Sequence, residues 1–272
     1  MIRKRKIIIN FILVLFLGAI QLIYAHTQIF NINEFKTEGS DNDQTAIQRA
    51  IDACANVGGG MVYVPPGEYT SGTIYLKSNI RFHLEAGAVL NASRNAKVFS
   101  KRALIFGENV SHVTIEGEGV IDGCAEYEWR DDDVSDRLAD GVPTRFKPTA
   151  QRPYPILPAP KMIVLVNCSD VKIRDVFIRN SPAWTVHPWG CERVLIDGIT
   201  IGNNVQEGAW TDGINPDCCT DVQISSCTVT AGDDGIAIKT TNQFGAPKPC
   251  QNIMITNCRL SSASCGIKIG TE

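Results

Sequence analysis

Two stretches carry residue types able to do chemistry: Trp210-Thr211-Asp212-Gly213-Ile214 and Gly232-Asp233-Asp234-Gly235-Ile236. Asp212 and Asp234 sit in the same Asp-Gly-Ile frame 22 positions apart, and the frame returns as Cys265-Gly266-Ile267, with Cys265 31 positions after Asp234. One local geometry repeated on successive turns of chain predicts that Asp212, Asp234 and Cys265 form a column. Strands stacked in a sheet lie about 4.8 Å apart, which would set the carboxylates of Asp212 and Asp234 side by side. Like charges that close raise each other's pKa, so that a proton is easily held near neutral pH. Asp233 is one residue out of the column and in a regular strand would face the other way. A bend is expected there, with Gly232 and Gly235 supplying the backbone freedom. Asp-Gly is also a common turn dipeptide, and that is the bland alternative. The doubled Asp within a repeated frame favours acid/base chemistry over it.

Other candidates lie on neighbouring turns. Asn180-Ser181-Pro182-Ala183-Trp184-Thr185-Val186-His187-Pro188-Trp189 precedes Asp212 by one turn, so Trp184 and His187 could project into the same groove as the carboxylates. A Trp face stacks on the apolar face of a sugar ring; the alternative is that Trp184 and Trp189 are core and His187 a satisfied loop residue. Trp210 stands beside Asp212. Lys239 follows Asp234 by five positions and Lys268 follows Cys265 by three. Both could meet an acidic sugar, or simply solvate the outer face of a strand.

These residues have to be positioned by a repeating scaffold, and the sequence contains one. Val110-Ser-His-Val113-Thr-Ile115, Cys168-Ser-Asp-Val171-Lys-Ile173, Cys191-Glu-Arg-Val194-Leu-Ile196, Cys219-Thr-Asp-Val222-Gln-Ile224 and Cys250-Gln-Asn-Ile253-Met-Ile255 share one inward pattern. The last four continue inward at Val176, Ile199, Cys227 and Cys258, then at Ile178, Ile201, Val229 and Leu260. Separations of 23, 28 and 31 residues between the leading cysteines are too short for βαβ units. A coil of that length adding one rung per turn is a parallel β-helix, a quasi-one-dimensional solenoid. The rival, an antiparallel sandwich, does not account for near-identical phrases in each turn. Ahead of the coils, Asp43–Cys54 has apolar residues at 47, 50, 51 and 54, one helical face, with Asp43 as a cap and Gly58-Gly59-Gly60 as a stop. Such a helix would cover an exposed sheet edge. Between Cys124 and Lys161 a polar, Pro-rich stretch interrupts the pattern, and a loop of that length is either a functional rim or an inert insertion.

Composition narrows the class further. With 272 residues, 44% hydrophobic content and a net charge of -3, the chain has material for one sizeable domain and no basic excess for a nucleic-acid partner. Arg3, Lys4, Arg5 and Lys6 precede an apolar run from Ile7 to Tyr24. We read residues 1–25 as a signal peptide ending at Ala25, with an uncleaved anchor as the alternative, and residues 26–272 as the β-helix domain. Ten cysteines suit an oxidising compartment. Four of them, Cys168, Cys191, Cys219 and Cys250, each open a phrase, which suits stacked buried thiols at least as well, and no zinc-type spacing is present.

At this point the chain resembles the glycoside hydrolase family that includes polygalacturonases, family 28. The likeness rests on Gly59-Gly60-Met61-Val62-Tyr63-Val64-Pro65-Pro66-Gly67-Glu68-Tyr69, on Asn180-Ser181-Pro182 with Trp184 and His187-Pro188, on Thr211-Asp212-Gly213 and on Gly232-Asp233-Asp234. It implies an all-β, right-handed parallel β-helix with an N-terminal capping helix, and an exported glycosidase inverting a pectin-type glycan. Asp233 would be the general acid, and Asp212 and Asp234 would hold and deprotonate the attacking water. Trp184, His187, Trp210, Lys239, Cys265 and Lys268 would contact substrate. Inverting enzymes generally separate acid and base carboxyls by about 6.5–9.5 Å, which a bend at Asp233 could provide. No cofactor or metal is expected, nor stable membrane insertion after signal removal, and the chain is expected to act as a monomer on a pectin-like polysaccharide. Trp210 stands where the family has Asn, and Ser264-Cys265-Gly266 where it has Gly-His-Gly. The family's later Arg-x-Lys uronate motif has no counterpart before Glu272, so C-terminal coils are expected to be missing. Those departures keep a dextranase-like hydrolase in play, and a β-helix lyase or a non-catalytic carbohydrate-binding solenoid remain as readings from other classes.

Overall fold

The computed structural model of the protein describes residues 28–37, 43–125, 159–206 and 208–270. The signal-peptide reading and most of the loop between Cys124 and Lys161 fall outside them. Among the described residues no helix is long and apolar enough to cross a membrane.

The chain winds as a parallel β-helix with three walls. The first wall has eight strands, from Ile29–Asn31 to Gln251–Thr256, and the second has seven, from Gly67–Ser71 to Arg259–Ser262. The third wall has four strands, Ile74–Tyr75, Ala103–Glu108, Lys161–Val166 and Val186–Trp189. Single bridges at Ile214 and Asp217 carry it on to the paired strands Ile236–Ile238 and Ile267–Ile269. Every pairing is parallel and in the register that the repeated phrases require. Val113, Val171, Val194, Val222 and Ile253 stack in one line, and Ile115, Ile173, Ile196, Ile224 and Ile255 in another. All but Ile253 and Ile255 are buried. At roughly 1.5–3 kcal/mol for each aliphatic side chain taken out of water, these lines supply much of the drive for coiling.

The corners have their own sequence signal. His112, Asp170, Arg193, Asp221 and Asn252, one in each phrase, all have φ between 53° and 57°. Asn, Asp and His tolerate this left-handed region better than other side chains. The residue there is skipped in the pairing register, for example between Ser169↔Ser111 and Val171↔Val113, so it turns the chain without breaking the ladder.

All ten cysteines lie among the described residues and are free thiols. The Sγ of Cys191, Cys219 and Cys250 donate to the carbonyls of Leu165, Pro188 and Pro216 at 3.3, 3.2 and 3.5 Å. Each thiol therefore ties its rung to the preceding one, and the stacked-thiol alternative describes the fold.

Helix α1 (Asp43–Asn56) buries Ala46, Ile47, Ala50, Ile51 and Cys54, the predicted face. Asp43 does more than start the helix: its carboxylate accepts from Thr70 N at 2.9 Å and pairs with Lys36 at 3.1 Å. The helix closes the open edge through two primary amides. Gln48 Nε2 donates to Tyr75 O (3.1 Å) and its Oε1 accepts from Tyr75 N (2.8 Å). Gln44 does the same for Thr73 O (3.0 Å) and Gly72 N (3.2 Å). Each side-chain amide thus stands in for the peptide group of an absent outer strand, which is how the edge is kept from pairing with another chain. Gln48→Ala should lower unfolding free energy by about 1–3 kcal/mol, the cost of stranding polar groups, in urea titrations. Asn56→Ala, on the exposed end of the same helix, should stay within about 0.5 kcal/mol.

Candidate functional site

The site forms where the second wall turns into the third. The strand Thr228–Ala231 ends, residues 232 and 233 bend, and Ile236–Ile238 begins. The same corner on the preceding rung carries Asp212. Gly213 N donates to Asp234 O at 2.9 Å and Gly235 N to Cys265 O at 2.8 Å, so Asp212, Asp234 and Cys265 form the expected column. The bend exists, but the glycines are required for a different reason from the one expected. Neither Gly232 nor Gly235 has a positive φ. A Cβ on Gly232 would lie 2.1 Å from Gly208 O, and one on Gly235 2.6 Å from Gly266 O. Close backbone approach, not conformational freedom, demands glycine at both positions. Thr211 locks the corner from beneath, accepting from Gly232 N at 3.0 Å and donating to Gly208 O at 2.6 Å.

One carboxylate oxygen from each of Asp212, Asp233 and Asp234 lies within 4.8 Å of the other two. The bend therefore draws Asp233 toward the pair. Asp212 and Asp234 are each 2% exposed, whereas Asp233 is half-buried. Asp212 Oδ1 faces Asp234 N at 3.4 Å, and its Oδ2 faces Lys239 Nζ at 3.2 Å. Asp234 Oδ1 accepts from Cys265 N at 3.3 Å and its Oδ2 pairs with Lys268 Nζ at 3.0 Å. Each aspartate is thus matched by a lysine from the following rung. The two lysines were expected at substrate or in solvent; they answer the buried carboxylates instead. Three carboxylates this close could hold a cation, but two ammonium groups already supply the positive charge at Asp212 and Asp234.

Burial pushes the Asp212 carboxyl up to about 7; Lys239 opposes the shift, and the charges of Asp233 and Asp234 add to it. The cluster therefore holds a proton near neutrality. For Lys268, partial burial works to lower the pKa, but the hydrogen bond and charge of Asp234, with Asp233 beyond it, raise it above the ordinary lysine value.

Trp184, Trp210 and Cys265 reach the surface at least in part and His187 does not. Trp184 is half-buried, with Lys161 Nζ 4.0 Å and Lys239 Nζ 4.1 Å from its ring centre. The ring backs two ammonium groups through cation–π contact. Trp210 is half-exposed with φ 66°, an uncommon backbone state for a bulky residue. Cys265 is exposed and contributes its backbone N–H. His187 is wholly buried on the strand Val186–Trp189, edge-on to Trp184 at 4.9 Å. That is the correction to its predicted role: the pairing of Val164 with His187 keeps the imidazole against the outer wall. Trp189 is buried, with Nε1 donating to Thr241 O at 3.1 Å.

Sequence reasoning missed Lys161, Asp217 and Asn215. Lys161 lies 23 residues before Trp184, the spacing of Cys168 and Cys191, and that register could have placed it. Asp217 precedes Lys239 by the 22 residues that separate Asp212 from Asp234. Asn215 is wholly buried, with neither amide atom hydrogen-bonded among the described residues, and has no such signal.

Comparison with known proteins places this arrangement. Residues 54–272 match the sequence model of Glycosyl hydrolases family 28. A probable polygalacturonase of Vitis vinifera is 32% identical over 261 residues, covering 86% of this chain and 49% of that protein. An endo-polygalacturonase of Pectobacterium carotovorum subsp. carotovorum is 25% identical over 259 residues, covering 86% of this chain and 59% of its own length. The hyperthermoactive exopolygalacturonase of Thermotoga maritima superposes with a TM-score of 0.71 at 24% identity, over 90% of this chain and 63% of that one. The chain thus spans about half the length of the Vitis vinifera protein.

The raised pKa of Asp212 has a stability consequence. An unfolded aspartate loses its proton near 3.9 and the folded one near 7, so the folded state binds the extra proton between those values. Stability should therefore fall as pH rises from about 4 to about 7. In urea titrations across that window Asp212→Asn should flatten the decline. Lys239→Met, which removes the opposing charge, should carry the decline to higher pH.

Proposed function

The chain belongs to glycosyl hydrolases family 28, and from that premise we propose that it hydrolyses O-glycosidic bonds of a pectin-type polysaccharide by inversion. The observation that carries this reading is the cluster of three carboxylates within 4.8 Å, of which Asp233 alone is half-buried rather than buried. Asp233 is the group able to reach a glycosidic oxygen in the groove. Its proton passes to that oxygen as the bond to the anomeric carbon breaks. A water held by Asp212 and Asp234 attacks the carbon from the opposite face, and its proton goes to that pair.

The hydrogen bonding of the pair supports holding water over direct attack. Both oxygens of Asp234 face N–H or ammonium donors; Asp212 Oδ1 faces Asp234 N, and its Oδ2, buried and without a hydrogen bond, lies 3.2 Å from the Lys239 ammonium, whereas a nucleophile has to present an accessible bare oxygen to carbon. The proton shared near neutrality fits a site that must be partly protonated to work. The curated relatives named above are polygalacturonases, which makes homogalacturonan the first substrate to test. Export belongs to the same reading, through the basic start at Arg3–Lys6 and the apolar run that follows.

Reducing-end release should be measured on homogalacturonan, rhamnogalacturonan and dextran. We expect turnover of the first, with Asp233→Asn lowering kcat by about 10²–10⁴, the usual worth of a general acid, while substrate binding persists. Proton NMR of the first-formed anomer should show inverted configuration. Unsaturated, ultraviolet-absorbing product would identify a lyase instead, and binding without turnover would identify a carbohydrate-binding solenoid.

A further inference from the structure

A buried anion outside the acid cluster sits on the third wall. Asp217 is wholly buried. Its carboxylate accepts from Thr241 N at 2.8 Å and Thr241 Oγ1 at 2.6 Å, and lies 3.1 Å from His187 Nε2. Burial first, and then the charge of Lys161, hold the His187 pKa down to about 4, so its imidazole meets the carboxylate as a neutral donor. Burial alone would raise the Asp217 carboxyl, but the hydrogen bonds of His187 and Thr241 outweigh it and hold the pKa below the ordinary aspartate value. Keeping such a carboxylate ionised out of water is costly. Two of these three contacts go to one residue, Thr241, and the purpose of the anion is to be sought there.

Thr241 opens the segment that follows Lys239. The backbone of Lys239 is fixed to the rung of Asp217, since Lys239 N donates to Pro216 O at 2.9 Å and Cys218 N to Lys239 O at 3.0 Å. Residues 242–249, just beyond, are all exposed. The chain is held there by a few ties: Thr241 O accepts from Trp189 Nε1 at 3.1 Å, the Phe244 ring lies 5.9 Å from that of Trp189, and Lys248 N meets Cys218 Sγ at 3.3 Å. The grip of Asp217 on Thr241 is the tie nearest Lys239, and residues two apart in an extended chain share a face. Lys239 is a side chain that needs holding. Its Cα is bridged to Asp217, yet its Nζ runs back to Asp212 Oδ2 at 3.2 Å and lies 4.1 Å from the Trp184 ring centre, with 4% of the residue exposed. An ammonium on a flexible four-carbon stem stays so placed only while the backbone that carries it is kept down.

We infer that Asp217 is a positioning residue for the acid cluster: by gripping Thr241 it keeps the segment 241–249 closed on the third wall, and so keeps Lys239 against Asp212. Asp217 is wholly buried and acts only through those two residues. The inference rests on the function proposed above for its consequence in turnover alone.

The test is competitive acetylation of lysines on the whole folded chain, read residue by residue by mass spectrometry. In the wild-type chain Lys239 should react about tenfold or more slowly than Lys172, which is exposed. Asp217→Asn should raise labelling of Lys239 by about tenfold, the order expected for losing a hydrogen bond to a charged group, and leave Lys268 within about twofold. Thr241→Val removes one donor and keeps the shape; it should shift Lys239 the same way, and it keeps the test open should Asp217→Asn fail to fold. Thr241→Ser retains the donor and should restore the wild-type rate, a rescue that general loosening of the coil would not give. Unchanged labelling of Lys239 in Thr241→Val would overturn the inference, as would equal gains at Lys239 and Lys268 or loss of protection in Thr241→Ser. Where the wild-type chain turns over homogalacturonan, Asp217→Asn should lower kcat by about tenfold with KM within about twofold. An unchanged kcat in a chain whose Lys239 has become reactive would overturn the bearing of Asp217 on the reaction. A wild-type chain without turnover would sink the hydrolase reading and leave the labelling to decide this one.

Discussion

The parallel hydrogen-bond ladder at the corner between the second and third walls is the constraint on which the rest depends. It decides which residues share a column, and it leaves no space at the crossing points for a side chain. Gly213, Gly235 and Gly266 are stacked so closely that a Cβ on Gly213 would meet Gly235 O at 2.5 Å, and one on Gly235 would meet Gly266 O at 2.6 Å. A side chain at either position would push the rungs apart, and with them the aspartates carried one residue earlier. The acids are held close because the backbone beneath them is packed without any slack.

That closeness creates an electrostatic debt which the same periodicity discharges. Two nearly dry carboxylates beside a third would be strongly destabilising if uncompensated. Each receives a lysine from the following rung, Asp212 from Lys239 and Asp234 from Lys268. The two lysines reach inward from different positions on their strands, since Lys239 is bridged to Asp217 while Lys268 is paired with Ala237. The compensation is therefore not a simple repeat, although the acids are. Because an acid and its counter-ion lie on consecutive rungs, no single coil could form the site alone.

Most of the scaffold could be read in the sequence because a solenoid writes its register as spacing. The five phrases, the inward Val and Ile lines and the apolar face of α1 all follow from periodicity alone, and so does the Asp212–Asp234–Cys265 column. What periodicity does not encode is how far a side chain reaches. The spacing of Lys239 and Lys268 was visible, but whether an ammonium folds back onto the preceding rung depends on burial that no spacing reveals. His187 shows the same limit. Its position near Trp184 was legible, but its complete burial is a tertiary matter, with Phe244 5.8 Å away between ring centres in a turn distant in sequence. The role of Gly232 was misjudged for a related reason: its neighbour Gly208 comes from the previous coil, and contacts of that kind are tertiary.

The distance between the acids also bears on how stereochemistry should be inferred at such a site. Carboxyl groups about 5–5.5 Å apart usually indicate retention, and about 6.5–9.5 Å inversion; that measure runs between whole carboxyl groups, whereas the 4.8 Å here runs between single oxygens. The rule, however, assumes that the second carboxylate is free either to attack or to activate water. Here Asp212 Oδ1 and both oxygens of Asp234 face backbone N–H groups or an ammonium ion, and Asp212 Oδ2, buried without a hydrogen bond, lies 3.2 Å from the Lys239 ammonium. Attack on carbon would require an oxygen to leave those donors inside a nearly dry corner. Holding a water requires only that a lone pair staying where it is accept one more hydrogen bond, from the water. Under the proposed hydrolysis, donor contacts rather than separation would set the outcome, and those contacts follow from the same rung-to-rung pairing that makes the cluster stable.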